Sequence, residues 1–527
     1  MFELYALSLQ ENLYSHLKSI RVHIYFVLFK FNTIFVKQNK QMKVAIIGSG
    51  FSSLAASCYL AKAGYEVDVF EKNSSIGGRA RVLETKGFKF DIGPTWYWMP
   101  DVFDQFFADF GKKSSDYYQL DKLSPAYKVY FAENDSVEIA DNLSEIAQTF
   151  ESIEKNSGSK LLKFIKEAES NYNIAIKNLV YRPGDSLLEL ITLQTALKVS
   201  QFFTTISRSV KSRFKNYRLQ QILEFPVLFL GAKPSNTPGF YNFMNYADFG
   251  LGTWHPKGGM YQVVEAMEAL AIELGVRFHV DATVEKINVR KGKAVGLRVN
   301  GMSIPADIVL SGADYHFTET LLAPHQRQYS ESYWNSKTFA PSSLLFYVGF
   351  NKKIEHVNHH TLFFDTDFVE HAKEIYDTKQ WPKSPLFYAS FPSKTDDSFA
   401  PQHGEAATFL IPLAIDLEDT PEIRERYFNA IMDRFEKLTN QSVRDHIVCK
   451  ESFCVNDFKK DYNSYKGNAY GLANILTQTA FLRPKIKSKK VSNLYFTGQL
   501  TVPGPGVPPA LISGKIASDK ISKECKL

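Results

Sequence analysis

Cysteine is scarce in this sequence, with four in 527 residues. Cys58, Cys449, Cys454 and Cys525 form no Cys-x-x-Cys pair. That excludes a disulfide framework and a cysteine zinc site, and it suits a reducing cytosol. Long apolar runs are missing too. A membrane-spanning helix needs about 18 or more consecutive apolar residues, and the longest run near the N-terminus, Ile24 to Phe29, stops at Lys30. Strong charge of either sign is absent, and a net charge of +6 gives little footing for nucleic-acid binding. There is no Ser–His–Asp or Cys–His arrangement, no internal repeat and no low-complexity stretch. His359 and His360 are adjacent and point apart in a strand, so they offer no metal site.

Aromatics are in surplus, with 42 Phe and 27 Tyr. They fill a large core or line a long apolar cavity. Apolar content of 44% and charged content of 22% are ordinary globular values, and the length exceeds one hydrophobic core, so two or three lobes are expected. Residues 1 to 41 carry Lys18, Arg21, Lys30, Lys37 and Lys40 against Glu3 and Glu11, without a small-residue cleavage site. They read as an extension outside the fold, with Met42 as the natural start.

Lys43 to Ile47 is an apolar run closed by Gly48 and reads as a buried strand. Phe51 to Ala63 reads as a helix ended by Gly64, and Glu66 to Phe70 as a second strand followed by Glu71. Gly48-Ser49-Gly50 sits at the turn. Gly50 lets backbone approach a pyrophosphate, and the helix N-terminus offers free N–H groups to it. Ser53 stands where a third glycine is usual. Glu71, about twenty residues on, is placed to accept hydrogen bonds from ribose hydroxyls. Further helices are expected over Lys160 to Ile176, Thr195 to Arg218 and Tyr261 to Leu274. Strands are expected over Val276 to Val280, Val284 to Val289, Ala294 to Val299, Ile308 to Leu310, Ser343 to Phe350, Ala407 to Leu413 and Asn493 to Phe496. A helix follows from about Pro508.

After Glu71 and Lys72 comes Asn73-Ser74-Ser75-Ile76-Gly77-Gly78-Arg79. Here the sequence resembles the flavin amine-oxidase and carotenoid-desaturase superfamily. Phe90-Asp91-Ile92-Gly93-Pro94-Thr95, the strand holding Val284, and the tail Thr497-Gly498-Gln499 through Val507-Pro508-Pro509 fit the same pattern. The resemblance is closest to phytoene desaturases in Asn245 to Gly250, Thr253 to Met260, Ala340 to Ser343 and the tail. It implies an α/β protein: a Rossmann-like FAD-binding domain from discontinuous segments (42–115, 255–315 and 485–527), with a mixed α+β substrate domain (116–254 and 316–484) that includes a helical membrane-facing part. It implies FAD held by Gly48, Gly50, Ser53, Glu71, Lys72, Gly78, Arg79, Gly93, Pro94, Thr95, Val284, Gly498, Gln499 and Val507, and a hydrophobic C40 carotene as substrate.

The implied reaction removes two hydrogens from a C–C bond beside a double bond. Flavin takes one as hydride, and Asp248 is the candidate to assist loss of the other as a proton. Oxygen or a membrane quinone would reoxidise the flavin. Other carotenoid-modifying flavoenzymes and a prenyl-lipid carrier on the same scaffold are the competing readings. The expected location is cytoplasmic, peripheral on the inner face of the cell membrane. Thr195 to Arg218, with Phe202, Phe203, Ile206, Val210 and Phe214 among six basic residues, is the candidate membrane-binding helix.

Overall fold

A computed structural model describes residues 41–525. The expectation for residues 1 to 41 therefore falls, but for Gln41, outside the described residues. The strand Lys43–Ile47 lies at the centre of a five-stranded sheet. Glu66–Phe70 pairs along one edge and Ile308–Ser311 along the other, all parallel. Arg277–His279 and Leu494–Phe496 complete the order on the two flanks, also parallel. The four apolar residues of the first strand are buried, as a parallel sheet covered on both faces requires.

One face is covered by the helix Phe51–Lys62, which packs against Tyr261–Glu273 and the C-terminal helix Val507–Glu524. Small residues permit the approach: a Cβ on Gly514 would stand 2.4 Å from Ser52 O. The other face carries an antiparallel three-stranded sheet, Val284–Arg290, Lys293–Val299 and Met302–Pro305. Its Ile287 and Leu297 share a buried cluster with Ala45, Ile47, Val309 and Phe496.

A separate seven-stranded sheet runs in the order Ile447–Phe453, Ser342–Phe350, Glu405–Leu413, Phe387–Ser390, His360–Phe363, Tyr127–Ala132, Asp135–Ile139. Both of its faces are apolar. Leu344, Phe346, Phe409 and Ile411 pack with Ile431 and Phe435 of the helix Pro421–Thr439. The alternate residues Ser343, Leu345, Leu410 and Pro412 line a cavity on the opposite face, since successive strand side chains point to opposite sides.

The stretch Thr195 to Arg218 is not one helix. It breaks into pieces, Leu193–Leu197, Val199–Phe202 and Ile206–Arg213, with Tyr217–Glu224 following. Polar caps cause the breaks: Thr205 Oγ1 accepts from Arg208 N, and Asn216 Oδ1 accepts from Arg218 N. Much of the expected membrane face is also turned inward, while Phe203 stays exposed. Ile206, Val210 and Phe214 are fully buried, Arg213 pairs with Glu167 at 2.9 Å and Arg218 with Asp135 at 2.9 Å.

Ser53 packs the first helix onto the sheet. A Cβ on Gly312, just after the strand Ile308–Ser311, would lie 2.0 Å from Ser53 Oγ. The small residue that position 53 lacks is thus supplied at position 312. Gly312→Ala should destabilise the protein by about 1–3 kcal/mol, and Ser53→Gly in the same chain should recover most of that loss. A double-mutant cycle of denaturant unfolding checks it, and simple additivity would refute the contact.

Candidate active site

At the C-terminal end of the first strand, Gly48 N donates to Phe70 O at 2.8 Å and the chain turns into the helix Phe51–Lys62. Gly50 is its extended N-cap and provides no side-chain cap. A Cβ on Gly50 would meet nothing within 4 Å, because the helix N-terminus opens onto the cavity. Gly77 and Gly78 form a second turn back to back with it: Gly78 has φ +57°, and a Cβ there would sit 3.0 Å from Gly50 Cα. Just past the strand Phe88–Asp91 the chain passes so close at Gly93 that a Cβ there would stand 2.0 Å from Arg79 O. These positions exclude side chains and bring bare backbone to one spot.

Glu71 is buried behind the turn. Its Oε2 accepts from Ser49 N (3.0 Å) and Ser49 Oγ (2.8 Å), and its Oε1 accepts from Asn73 N and Nδ2, both at 2.9 Å. Arg79 reaches the cavity from the second turn. Its Nη2 donates weakly to Ser464 Oγ (3.3 Å) and Asn468 O (3.4 Å), its guanidinium lies 5.0 Å from the Tyr462 ring centroid, and its buried Nε has no partner. These partners are neutral, and burial lowers the guanidinium pKa. A cation in this setting calls for an anion. Lys72 Nζ donates to Lys460 O, and its pKa is lowered by burial.

All of these groups face one cavity of about 470 Å³. Of the residues singled out from sequence, Gly48, Gly50, Glu71, Lys72, Gly78, Arg79, Gly93, Pro94, Thr95, Val284, Gly498, Gln499 and Val507 all line it. Gly498 N donates to Ser513 Oγ at 2.9 Å. Gln499 is held by Asn468, and its carbonyl accepts from Arg483 Nη1 at 3.1 Å. Arg483 is itself fully buried among neutral acceptors, which pushes its pKa down to about 10. Val507 opens the C-terminal helix at the cavity rim with Pro508 and Pro509 behind it. Beyond Thr95 the lining turns apolar and aromatic: Trp96, Trp98, Phe225, Phe364, Phe368 and Tyr388.

Two expected site residues lie elsewhere. Ser53 faces Gly312, not the cavity. Asp248 sits behind the wall, outside the lining, because the helix Phe243–Phe249 turns it toward Tyr127. Tyr127 Oη donates to Asp248 Oδ2 at 2.9 Å, and Tyr127 packs edge-on to Trp96 and Phe225. His359 and His360 do not point apart either. His359 precedes the strand in a bend, so strand alternation fails and the two ring centroids are 4.5 Å apart. Sequence reading missed Asp314, whose carboxylate accepts from Phe317 N and Tyr465 N at the cavity edge. The signal was present: Ser311-Gly312-Ala313-Asp314 repeats the strand–glycine–helix order of the first turn. Trp96 and Tyr388 carried no comparable local signal.

Burial lifts the Asp248 pKa to about 8. Below pH about 4 its carboxyl is protonated in both folded and unfolded chains. As pH rises the unfolded chain ionises first while the folded protein keeps the proton until about 8. Stability should therefore fall by about 1.4 kcal/mol per pH unit across that window. Asp248→Asn should lack this slope, so its melting temperature should gain on the parent's between pH 5 and pH 8. Parallel melting curves would show that Asp248 ionises normally.

The flavin containing amine oxidoreductase family profile matches residues 51–522. A carotenoid 3,4-desaturase of Haloarcula japonica is 41% identical over 485 residues, 91% of this chain and 98% of that protein. A zeta-carotene-forming phytoene desaturase of Myxococcus xanthus is 30% identical over 490 residues, 91% and 93% of the two chains. Among solved structures, an oxidoreductase from Methanosarcina mazei superposes with a TM-score of 0.59 at 17% identity, covering 91% of this chain and all of that one. That last likeness is one of fold. Taken together, a profile spanning nearly the whole described chain and relatives covered almost end to end place this chain in the flavin containing amine oxidoreductase family, in the group that these carotenoid desaturases form.

Proposed function

We propose that this protein is an FAD-dependent desaturase that introduces C=C bonds into phytoene or a related C40 carotene. One observation carries the reading: a single cavity has a polar end lined by the glycine turns, Glu71 and Arg79 and an aromatic end, which meet at Thr95 and Trp96. The residues present fit FAD. The uncapped helix N-terminus and Arg79 suit a diphosphate. Glu71 suits a ribose, because two of its four bonds come from Ser49 Oγ and Asn73 Nδ2, side chains free to rotate toward other partners. Val284 stands at the adenine side, and Gly498, Gln499 and Val507 at the flavin side. When bound, the flavin supplies a hydride acceptor. The chain's own part is to hold a long apolar polyene against it and to keep water out.

On this reading, 42–115, 255–315 and 485–527 make the FAD-binding domain, which owns every strand of the parallel sheet. Segments 116–254 and 316–484 make the substrate domain, which owns every strand of the seven-stranded one. The higher identity to the carotenoid 3,4-desaturase favours a second reading of the substrate, in which the new double bond enters at that position of a more unsaturated carotene.

The test is expression in cells that make phytoene, and separately in cells that make a coloured carotene, followed by pigment absorption spectra. The purified protein should be yellow, and one of the two hosts should show a red-shifted pigment. Arg79→Met should leave the fold intact, since it removes a buried charge paired with no carboxylate. It should weaken FAD by about 10–100-fold, the equivalent of one charge-assisted hydrogen bond. A colourless parent protein, or unchanged FAD binding in the variant, would defeat the assignment. Anaerobic turnover with and without a quinone separates the two acceptors.

A water-insoluble substrate must come from a bilayer, and no described helix is long and apolar enough to cross one. The contact surface we propose, on the cytoplasmic face of the cell membrane, overlaps the N-terminal part of the stretch expected from sequence and extends upstream of it. Leu188 (74%), Leu193 (79%), Leu197 (77%) and Phe203 (84%) are largely exposed within sixteen residues of chain. Burying each in the acyl region is worth about 1.5–3 kcal/mol. Leu193→Glu, Leu197→Glu and Phe203→Glu together should release the protein from liposomes with FAD still bound. Undiminished binding would move the membrane contact elsewhere.

A further inference from the structure

Removing two hydrogens from a carotene leaves one to depart as a proton, and Asp248 is walled off from the cavity. A different group is in place. Tyr388, on the strand Phe387–Ser390, lines the cavity where its flavin end meets its aromatic end. Its Oη lies 2.8 Å from Thr95 Oγ1 and 2.7 Å from His360 Nδ1. His360 is fully buried and does not reach the cavity itself. Trp96, which does, stacks on the imidazole at 4.0 Å and 12° and fixes its plane. The outer nitrogen, His360 Nε2, is buried without a partner among the described residues. A histidine held this tightly by one tyrosine, with its far side left unsatisfied, is poorly explained as core packing, where buried polar atoms are paired.

We propose that Tyr388 is the catalytic residue that takes the substrate's proton and that His360, acting through it, is where that proton comes to rest. The inference rests on the desaturase reading above. With flavin bound, one carbon of the substrate would give up a hydride, with both electrons of its C–H bond, to that acceptor. The neighbouring carbon loses a proton to Tyr388 Oη while the Tyr388 hydroxyl proton passes to His360 Nδ1. The C=C bond forms from the electrons of the second C–H bond, Tyr388 ends unchanged and His360 ends as imidazolium. Burial and the nearby His255 hold the His360 pKa well below the ordinary 6.5, so the ring is neutral and ready to receive. Its weak basicity is no obstacle, because a carotene that has lost hydride is an allylic cation and a far stronger acid than imidazolium. With no acceptor at hand, the cation can only take the hydride back.

The hydrogen-bond direction is the first point to test, and it needs no flavin. Nitrogen NMR of the flavin-free protein with 15N-labelled histidine should show His360 Nδ1 unprotonated and accepting, and its resonance should move in Tyr388→Phe. A protonated Nδ1 would overturn the relay, since Tyr388 could not then donate to it. The second test is single-turnover flavin reduction by the carotene. Tyr388→Phe should bind FAD normally and slow flavin reduction by about 100-fold, the scale of a positioned proton acceptor. His360→Asn should do the same, because an amide can hold Tyr388 Oη in place but cannot take its proton. Parent-like rates in either variant would overturn the proposal. If no carotene reduces the flavin of the parent protein, the desaturase reading fails, and the relay falls with it; a protonated Nδ1 in an active parent overturns the relay alone.

Discussion

The strand Lys43–Ile47 carries hydrogen-bonding groups on both edges and apolar side chains on both faces, and it can satisfy neither need locally. One edge is met by Glu66–Phe70, close in sequence. The other is met by Ile308–Ser311, more than 260 residues away in the chain. Because every partner runs parallel, the carboxyl ends of the strands come out on one side, and the turns that follow them gather there. Gly48–Gly50, Glu71 and Gly312–Asp314 are neighbours for that reason alone. In open parallel sheets the crevice outside those ends is where ligands bind.

The second sheet solves a different problem. Its strand Ser342–Phe350 is buried along its whole length, so both faces must be covered. One is covered by a helix. The other is covered in part by Phe88 and Phe90, which pack on Leu345 and Tyr347, and the remaining apolar surface becomes the wall of a cavity. The aromatic surplus of the sequence is spent there as much as in the core: Trp96, Phe225, Phe364, Phe387 and Tyr388 bound the space a long polyene would need. Thr95 follows the Gly93 crossing, and its side chain bonds to Tyr388 of the seven-stranded sheet. Cofactor geometry and substrate geometry are thereby set by one short segment.

What could be read from the sequence was whatever is encoded in contiguous spacing. Gly48, Gly50, Glu71, Gly78 and Arg79 lie within about thirty residues and obey a local grammar of strand, turn and helix, so their convergence on one cavity was legible. The resemblance to known flavoproteins extended this to Val284 and the tail. Pairings across the fold were not legible. Nothing in the neighbourhood of Asp248 says that Tyr127 faces it from 121 residues away, and nothing beside Tyr388 names His360 or Thr95. The stretch Thr195 to Arg218 misled for a related reason. Its periodicity is helical, but Thr205 and Asn216 offer capping oxygens that end one helix and start another, and Glu167 and Asp135 draw Arg213 and Arg218 back to the protein. Charge counted along a chain says little about charge left unpaired in space.

Arg79 has a consequence for the life of the protein before it is loaded. A buried guanidinium whose hydrogen-bond partners are all neutral is an electrostatic weak point in the empty fold, eased by an anion of the right shape. The turns that hold it, Gly48–Gly50 and Gly77–Gly78, are also those with the least side chain to pin them. The empty protein is therefore less well held at this seam, and a ligand bound there stabilises the folded state in proportion to the logarithm of its concentration. On the proposed FAD reading, a chain made while flavin is scarce is the less stable one, so cofactor supply bears on how long the protein lasts as well as on what it does.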